Sequence, residues 1–153
     1  MLQTLTWRSA FLIALFSITC LAFGPCGRVP GTRLSGEEIT QPVTDWSFAD
    51  QLPGCQIEVR PSEPYSINAA CFTYAGRLFV GCMRCSGKRW PTYVAADPNV
   101  RVKLGDRLYP LRANRVTDMT TIQAAWDERS RKHTTGAATA VPADYWLFGL
   151  DPR

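Results

Sequence analysis

The chain has 153 residues, of which 46% are hydrophobic and 20% are charged, which is enough for one globular domain with a real core. The formal net charge is +4 and no long run of Lys or Arg occurs. This balance permits an anionic ligand and argues against a nucleic-acid partner. A single histidine, His133, excludes a metal site built from several histidines.

The first 26 residues are predicted to be a signal, lipoprotein or anchor segment outside the fold. Arg8 is the only charged residue before residue 28, and residues 9–23 form an apolar run of the length of a secretory h-region. Cys20 and Cys26 are both candidates for lipidation. We favour Cys26 because a Gly/Pro/Thr segment follows it; an uncleaved anchor is the alternative. Each option predicts membrane attachment through the N-terminus and a domain in the cell envelope, facing the periplasm or the exterior.

Residues 27–44 are rich in Gly, Pro, Thr and Ser and show no apolar period, so they are predicted to be a flexible tether. The domain is then 45–153. Its short lead-in is expected to pack Trp46 or Phe48 on the outside of the fold. Alternation of polar and apolar residues predicts a first strand over 56–60.

Two β-hairpins and two helices follow. The hairpins are predicted over 66–83 and 100–116, with turns at Ala75-Gly76 and Gly105-Asp106. A helix over 90–96 separates them and ends before Asp97-Pro98. A second helix over 119–132 is capped by Asp118, with Met119, Ile122 and Trp126 on its apolar face. A last strand over 145–150 stops at Asp151-Pro152. The fold class is therefore mainly β with short helices (α+β), and hairpins apolar on both faces suit a barrel wall.

The cysteines of the domain are Cys55, Cys71, Cys82 and Cys85. Outside the cytoplasm thiols tend to pair, so at least one disulfide is expected, in one of three connectivities. Cys71 and Cys82 lie diagonally across the first hairpin, which is too wide for a bond. Cys55 with Cys71, or Cys82 with Cys85, is favoured. The Cys-x-x-Cys spacing also occurs in redox and zinc half-sites, but a structural disulfide is the preferred interpretation.

The order of elements, together with Lys-Arg-Trp-Pro at 88–91 and Ala-Asp-Pro-Asn-Val-Arg-Val-Lys-Leu-Gly-Asp-Arg-Leu-Tyr at 96–109, resembles the flavin-binding split-barrel superfamily. This superfamily includes pyridoxamine-phosphate-oxidase-like and deazaflavin-dependent nitroreductase-like proteins, and the chain looks closer to the second branch. Its Asp-Trp-Ser-Phe lead-in at 45–48 also resembles that of secreted bacterial members. The resemblance covers roughly residues 56–152. It implies a split β-barrel of about six strands, FMN or a deazaflavin as cofactor, and a homodimer.

The resemblance also implies where the cofactor lies. The matching phosphate-binding positions are Arg84, Ser86, Lys88 and Arg89, with Trp90 beside them. The chemistry agrees, because Arg can bind a phosphate bidentately and Lys supplies a point charge. The alternative is that these cations simply solvate an exposed loop.

The expected function is binding of a flavin-type cofactor and hydride or electron transfer. In such proteins the cofactor carries the hydride, and no residue here stands out as a general acid or base. The sequence also lacks a Gly-x-Ser-x-Gly, P-loop or Rossmann pattern. Whether the protein is an enzyme is left open. The alternatives are a non-catalytic ligand-binding domain that has lost the cofactor and a haem-binding split barrel.

Overall fold

A computed structural model describes residues 31–133 and 140–153. The strands are β1 Glu37–Glu38, β2 Cys55–Val59, β3 Tyr65–Tyr74, β4 Arg77–Met83, β5 Asn99–Leu104, β6 Arg107–Val116 and β7 Tyr145–Pro152. The α-helices are α1 Trp90–Ala96 and α2 Met119–His133, and short 3₁₀ helices cover Ser47–Gln51 and Cys85–Gly87. Within these ranges no helix has the length and hydropathy that a bilayer crossing requires. The predicted segment 1–26, with Cys20 and Cys26, lies outside the described residues.

Six antiparallel strands close into a barrel. Their order is β6-β5-β2-β3-β4-β7, and β7 pairs back onto β6. Strand β1 adds a short parallel pairing at the start of β6. The barrel interior is filled by alternate residues of each strand, as in β5, where Val100, Val102 and Leu104 are buried. The predicted class, mainly β with short helices, and the split β-barrel of about six strands are confirmed.

The first hairpin opens at one end, and this opening is the split in the barrel. Residues 65–69 of β3 pair with β2, whereas residues 70–74 pair with β4. Beyond Gly81, β4 leaves β3 and continues against β7 as far as Met83. The start of β3 and the end of β4 therefore diverge. Helix α1 follows directly, and its buried Trp90 packs on Phe148 with ring centroids 4.9 Å apart.

The register of this hairpin is the one that its turn and alternation predict, with Tyr74 opposite Arg77 and Phe72 opposite Phe79. The end of β7 differs from the prediction. Asp151 and Pro152 continue the strand instead of stopping it, opposite Arg112 and Leu111. The reason is that β6 is long enough to offer them a partner, and proline is tolerated at a strand end.

Helix α2 covers the outer face of β3, β4 and β7. Ile122 and Trp126 pack against Phe72 and Phe79 in a second buried cluster, as their spacing predicts. Met119, predicted on the same face, is 65% exposed, because it lies in the first turn. Asp118 caps the helix through its Oδ2, which accepts the Thr121 N–H at 2.8 Å.

The described start of the segment before the barrel is hydrogen-bonded to it, and the flexible tether over 27–44 stays a prediction. We call residues 31–39 the strap. Its main chain donates from Gly31 N to Ser66 O at 2.7 Å and from Ile39 N to Leu108 O at 2.8 Å. Its buried Leu34 donates its N–H to the Glu58 carboxylate. The strap is held by backbone hydrogen bonds. Such bonds leave no apolar period in the sequence, so a prediction from composition alone gives a flexible segment.

Both favoured disulfides form. Cys55 is bonded to Cys71 and Cys82 to Cys85, with Cα atoms 5.6 and 5.3 Å apart. The expectation of at least one disulfide is confirmed. The first joins the neighbouring strands β2 and β3 inside the barrel, whereas the second ties the end of β4 to the loop that leads to α1.

Replacing Cys55 and Cys71 together by Ala should lower the free energy of unfolding by about 3 kcal/mol. The cross-link spans 16 residues, and a link of that length removes loop-closure entropy of this order from the unfolded chain. Urea unfolding of both proteins measures the difference. A loss below roughly 1 kcal/mol would contradict this value.

Candidate functional site: a cationic cavity in the split

A cavity of about 490 Å³ lies in the split between β3 and β4. Such a volume falls in the range of about 300–1,000 Å³ that small-molecule pockets occupy. It is lined by Tyr65, Ile67, Asn68, Ala69, Ala70, Gly81, Cys82, Met83, Lys88, Trp90 and Arg129. The small residues Ala69, Ala70 and Gly81 leave room there. The cavity is thus a product of the diverging strands and of small side chains at the same place.

The charges that line this cavity are of one sign. Lys88 reaches it from the loop before α1 and Arg129 from α2, and among the described residues that line it there is no Asp or Glu. The Arg129 guanidinium also stands over the Trp126 ring, 5.0 Å from its centroid. Its Nε is buried and has no hydrogen-bond partner within the described ranges.

Another cavity, of about 320 Å³, lies between residues 38–43 and β6. Although it is better enclosed, its charged lining residues are Glu38 and Arg153, which offset each other. An anionic ligand is therefore favoured in the split and not in this second cavity.

Tyr145 lies beneath the split. It is buried, and its hydroxyl has no hydrogen-bond partner among the residues that the structure describes. Burial raises the pKa of Tyr145 to about 12, an effect that the charge of Arg129 opposes, so the hydroxyl remains a donor at neutral pH. A Cβ on Gly81 would stand 2.6 Å from this hydroxyl. The absence of a side chain at position 81 therefore makes room for Tyr145.

Replacing Gly81 by Ala should destabilise the protein by about 1–3 kcal/mol, the usual cost of overpacking a buried site. The matched control is Gly87→Ala, because a Cβ there meets no atom within 4 Å and the residue has no positive φ. Thermal unfolding of both variants compares them. A Gly81→Ala protein as stable as the control would show that Tyr145 moves aside freely.

The structure separates the residues that were predicted to bind the cofactor. Lys88 and Trp90 line the cavity. The Arg89 guanidinium stands over the ring of Tyr65, a lining residue, at 5.5 Å from its centroid. Arg84 and Ser86 are exposed and are not among the lining residues. A role of all five in cofactor binding stays a prediction.

Ser86 is bound to a carboxylate. Its N–H and its hydroxyl donate to Asp144 at 3.0 and 2.7 Å. These hydrogen bonds lower the pKa of Asp144, so the carboxylate is charged at neutral pH. A phosphate at Ser86 would meet this negative charge. The part of the loop that faces the cavity, at Lys88, is the more favourable anion site.

Arg129 is the residue that sequence reasoning missed. The sequence places it on the polar face of α2, yet it lies three residues after Trp126, at the border of the apolar face. This spacing of three residues from Trp126 is the feature of the sequence that could have predicted its position. His133 is absent from the cavity lining; its Nε2 lies 3.3 Å from Cys71 O, and burial lowers its pKa. Nor do residues 31–133 and 140–153 contain three clustered His, Cys, Asp or Glu side chains suited to a metal ion.

Comparison with known proteins supports the fold. The sequence matches no family model and no curated protein. Among solved structures, a candidate pyridoxamine 5′-phosphate oxidase from Listeria innocua superposes with a TM-score of 0.53 at 12% identity, covering 68% of this chain and 86% of its own. An F420 reductase superposes at 0.50 with 18% identity, covering 74% and 96%. HutZ, the haem storage protein of Vibrio cholerae, superposes at 0.50 with 18% identity, covering 69% and 85%. The chain thus shares the split-barrel fold of these proteins.

Proposed function

We propose that the cavity in the split binds a flavin-type cofactor, FMN or a deazaflavin, by its phosphate. The observation that carries this proposal is that Lys88 and Arg129 line one cavity without a carboxylate, so their charges add. Arg binds phosphate oxygens in a planar, bidentate manner, and Lys adds a point charge. The likeness in fold to an F420 reductase and to a candidate pyridoxamine 5′-phosphate oxidase supports this ligand class.

The remaining walls suit the ring system of such a cofactor. Tyr65, Ile67 and Trp90 offer aromatic and apolar surface, on which a flat heterocycle packs. Trp90 is held by its contact with Phe148, so this wall is fixed before the ligand arrives. A bound flavin supplies two-electron chemistry, and the chain's residues bind and orient it. This arrangement supports a role in hydride or electron transfer.

We further infer that the domain is held at the membrane by its N-terminus, in the cell envelope, with Cys26 as the lipidated residue and Cys20 as the alternative. The apolar run at 9–23 and the two disulfides, which persist in oxidising compartments, support this location. The homodimer rests on the family resemblance alone. Mass spectrometry of protein from the envelope fraction tests the first point, and an unmodified Met1 on a cytoplasmic protein would refute it.

Fluorescence titration of the purified protein with FMN and with riboflavin tests the cofactor. FMN should bind at least about tenfold more tightly, because riboflavin lacks the phosphate and one charge-assisted contact contributes about 1.5–3 kcal/mol. Equal affinities for FMN and riboflavin would show that the phosphate does not contribute to binding. Binding of neither flavin, with a Soret band on adding haem, would favour the haem-binding alternative.

A further inference from the structure

The disulfide Cys82–Cys85 borders the candidate cofactor cavity. Cys82 is one of the lining residues, although only 2% of Cys82 and 1% of Cys85 is exposed. A ligand in the cavity would therefore lie beside one half of this buried disulfide. Neither Cys55 nor Cys71 is among the lining residues, so the two disulfides of the domain differ in their access to a cofactor.

The two disulfides also differ in what they contribute to the fold. Stabilisation by a cross-link grows with the length of chain that it encloses. Cys55 and Cys71 are 16 positions apart, whereas Cys82 and Cys85 are only three apart. A purely structural role explains the first disulfide well and the second poorly.

The backbone between Cys82 and Cys85 is held in an unfavourable conformation. Arg84 has φ 48° and ψ 54°, in the left-handed region that costs energy for a residue with a side chain. Cys-x-x-Cys is also the spacing of pairs that cycle between disulfide and dithiol.

We propose that Cys82–Cys85 is a redox-active disulfide that exchanges two electrons with the cofactor in the cavity, an inference that rests on the proposed function. Reduction of the disulfide breaks the Sγ–Sγ bond and takes up two electrons and two protons to give two thiols. A reduced flavin provides these two electrons and two protons and is left oxidised. The Cys82–Cys85 disulfide would therefore be a second two-electron carrier beside the flavin.

The test uses the oxidised full chain and FMN under anaerobic conditions. FMN binding is first measured by titration. FMN is then photoreduced with EDTA as electron donor, and new thiols are alkylated and assigned to individual cysteines by mass spectrometry. Alkylation of Cys82 and Cys85 should exceed that of Cys55 and Cys71 by at least about tenfold, because thiol–disulfide and flavin exchange depends on access and only the first pair borders the cavity. Illuminated protein without FMN is the control for direct photoreduction.

A second control separates reduction in the cavity from reduction by free flavin. The variant Lys88→Ala/Arg129→Ala, at an FMN concentration where it binds little, should show little alkylation at Cys82 and Cys85. If FMN binds and all four cysteines are alkylated equally, or none is, the redox inference is overturned while the proposed function stands. If FMN does not bind, the proposed function fails and takes this inference with it.

Discussion

Replacing Lys88 and Arg129 together by Ala should weaken FMN binding by roughly a hundredfold or more, and should change riboflavin binding much less. Each charge-assisted contact contributes about 1.5–3 kcal/mol, and about 1.4 kcal/mol is a factor of ten in affinity. Each single substitution should cost about ten- to a hundredfold by the same reasoning. The two losses need not add, because both cations act on one phosphate. Fluorescence titrations with FMN and riboflavin measure all of these values.

The matched control is Arg84→Ala. Arg84 belongs to the same loop but is not among the cavity-lining residues, so its loss should leave FMN affinity nearly unchanged. The phosphate site predicted from the sequence, at Arg84, Ser86, Lys88 and Arg89, requires the opposite result. A large effect of Arg84→Ala with no effect of Arg129→Ala would place the phosphate on the exposed loop and out of the cavity.

Replacing Arg101 by Leu should destabilise the fold by about 3–5 kcal/mol, the cost of leaving a buried charge without its partner. Glu58 is 3% exposed and accepts from Arg101 Nε at 2.9 Å and from Nη2 at 2.8 Å. The same Nη2 donates to Leu34 O at 2.9 Å, so the substitution also loosens the strap. Urea unfolding measures the loss.

Arg107→Leu is the control for Arg101→Leu. Arg107 also pairs with a glutamate, Glu37, but the distance is 3.8 Å and both side chains are more than half exposed. Its loss should change stability by less than about 1 kcal/mol, as for other surface ion pairs. The double substitution Glu58→Leu/Arg101→Leu should recover part of the stability lost in Arg101→Leu, because it removes the buried charge itself. A loss in Arg101→Leu no larger than in the control would show that water reaches Glu58.

The hairpins and helices of this protein are predictable because their determinants are local. The turn at Ala75-Gly76 and the alternation on either side fix one register, since a slip by one residue would turn every side chain to the wrong face. The same register argues against a Cys71–Cys82 bond, and the cysteines pair instead as Cys55–Cys71 and Cys82–Cys85. In each case the interacting residues are neighbours in the sequence or on paired strands.

The cavity and the strap have determinants that are distant in the sequence. Arg129 reaches the split only because α2 docks through Trp126 onto the hairpin, a packing that periodicity does not specify. Ser86 is directed to Asp144, which is 58 residues away. The strap uses main-chain hydrogen bonds and one buried side chain, Leu34, so it leaves no pattern in the composition. Long-range packing and backbone pairing therefore account for what the sequence could not predict.

The strap decides where the chain can be shortened for laboratory work. A protein that begins at Asp45, where composition puts the domain boundary, would lose the strand β1 and leave the start of β6 unpaired on that side. Exposed strand edges pair readily with a second molecule. The Lys103 ammonium, which donates to Ser35 O at 2.7 Å, would lose its acceptor as well. A dimer observed with such a shortened protein would report on the cut edge, so the oligomeric state has to be measured on a chain that retains Gly31.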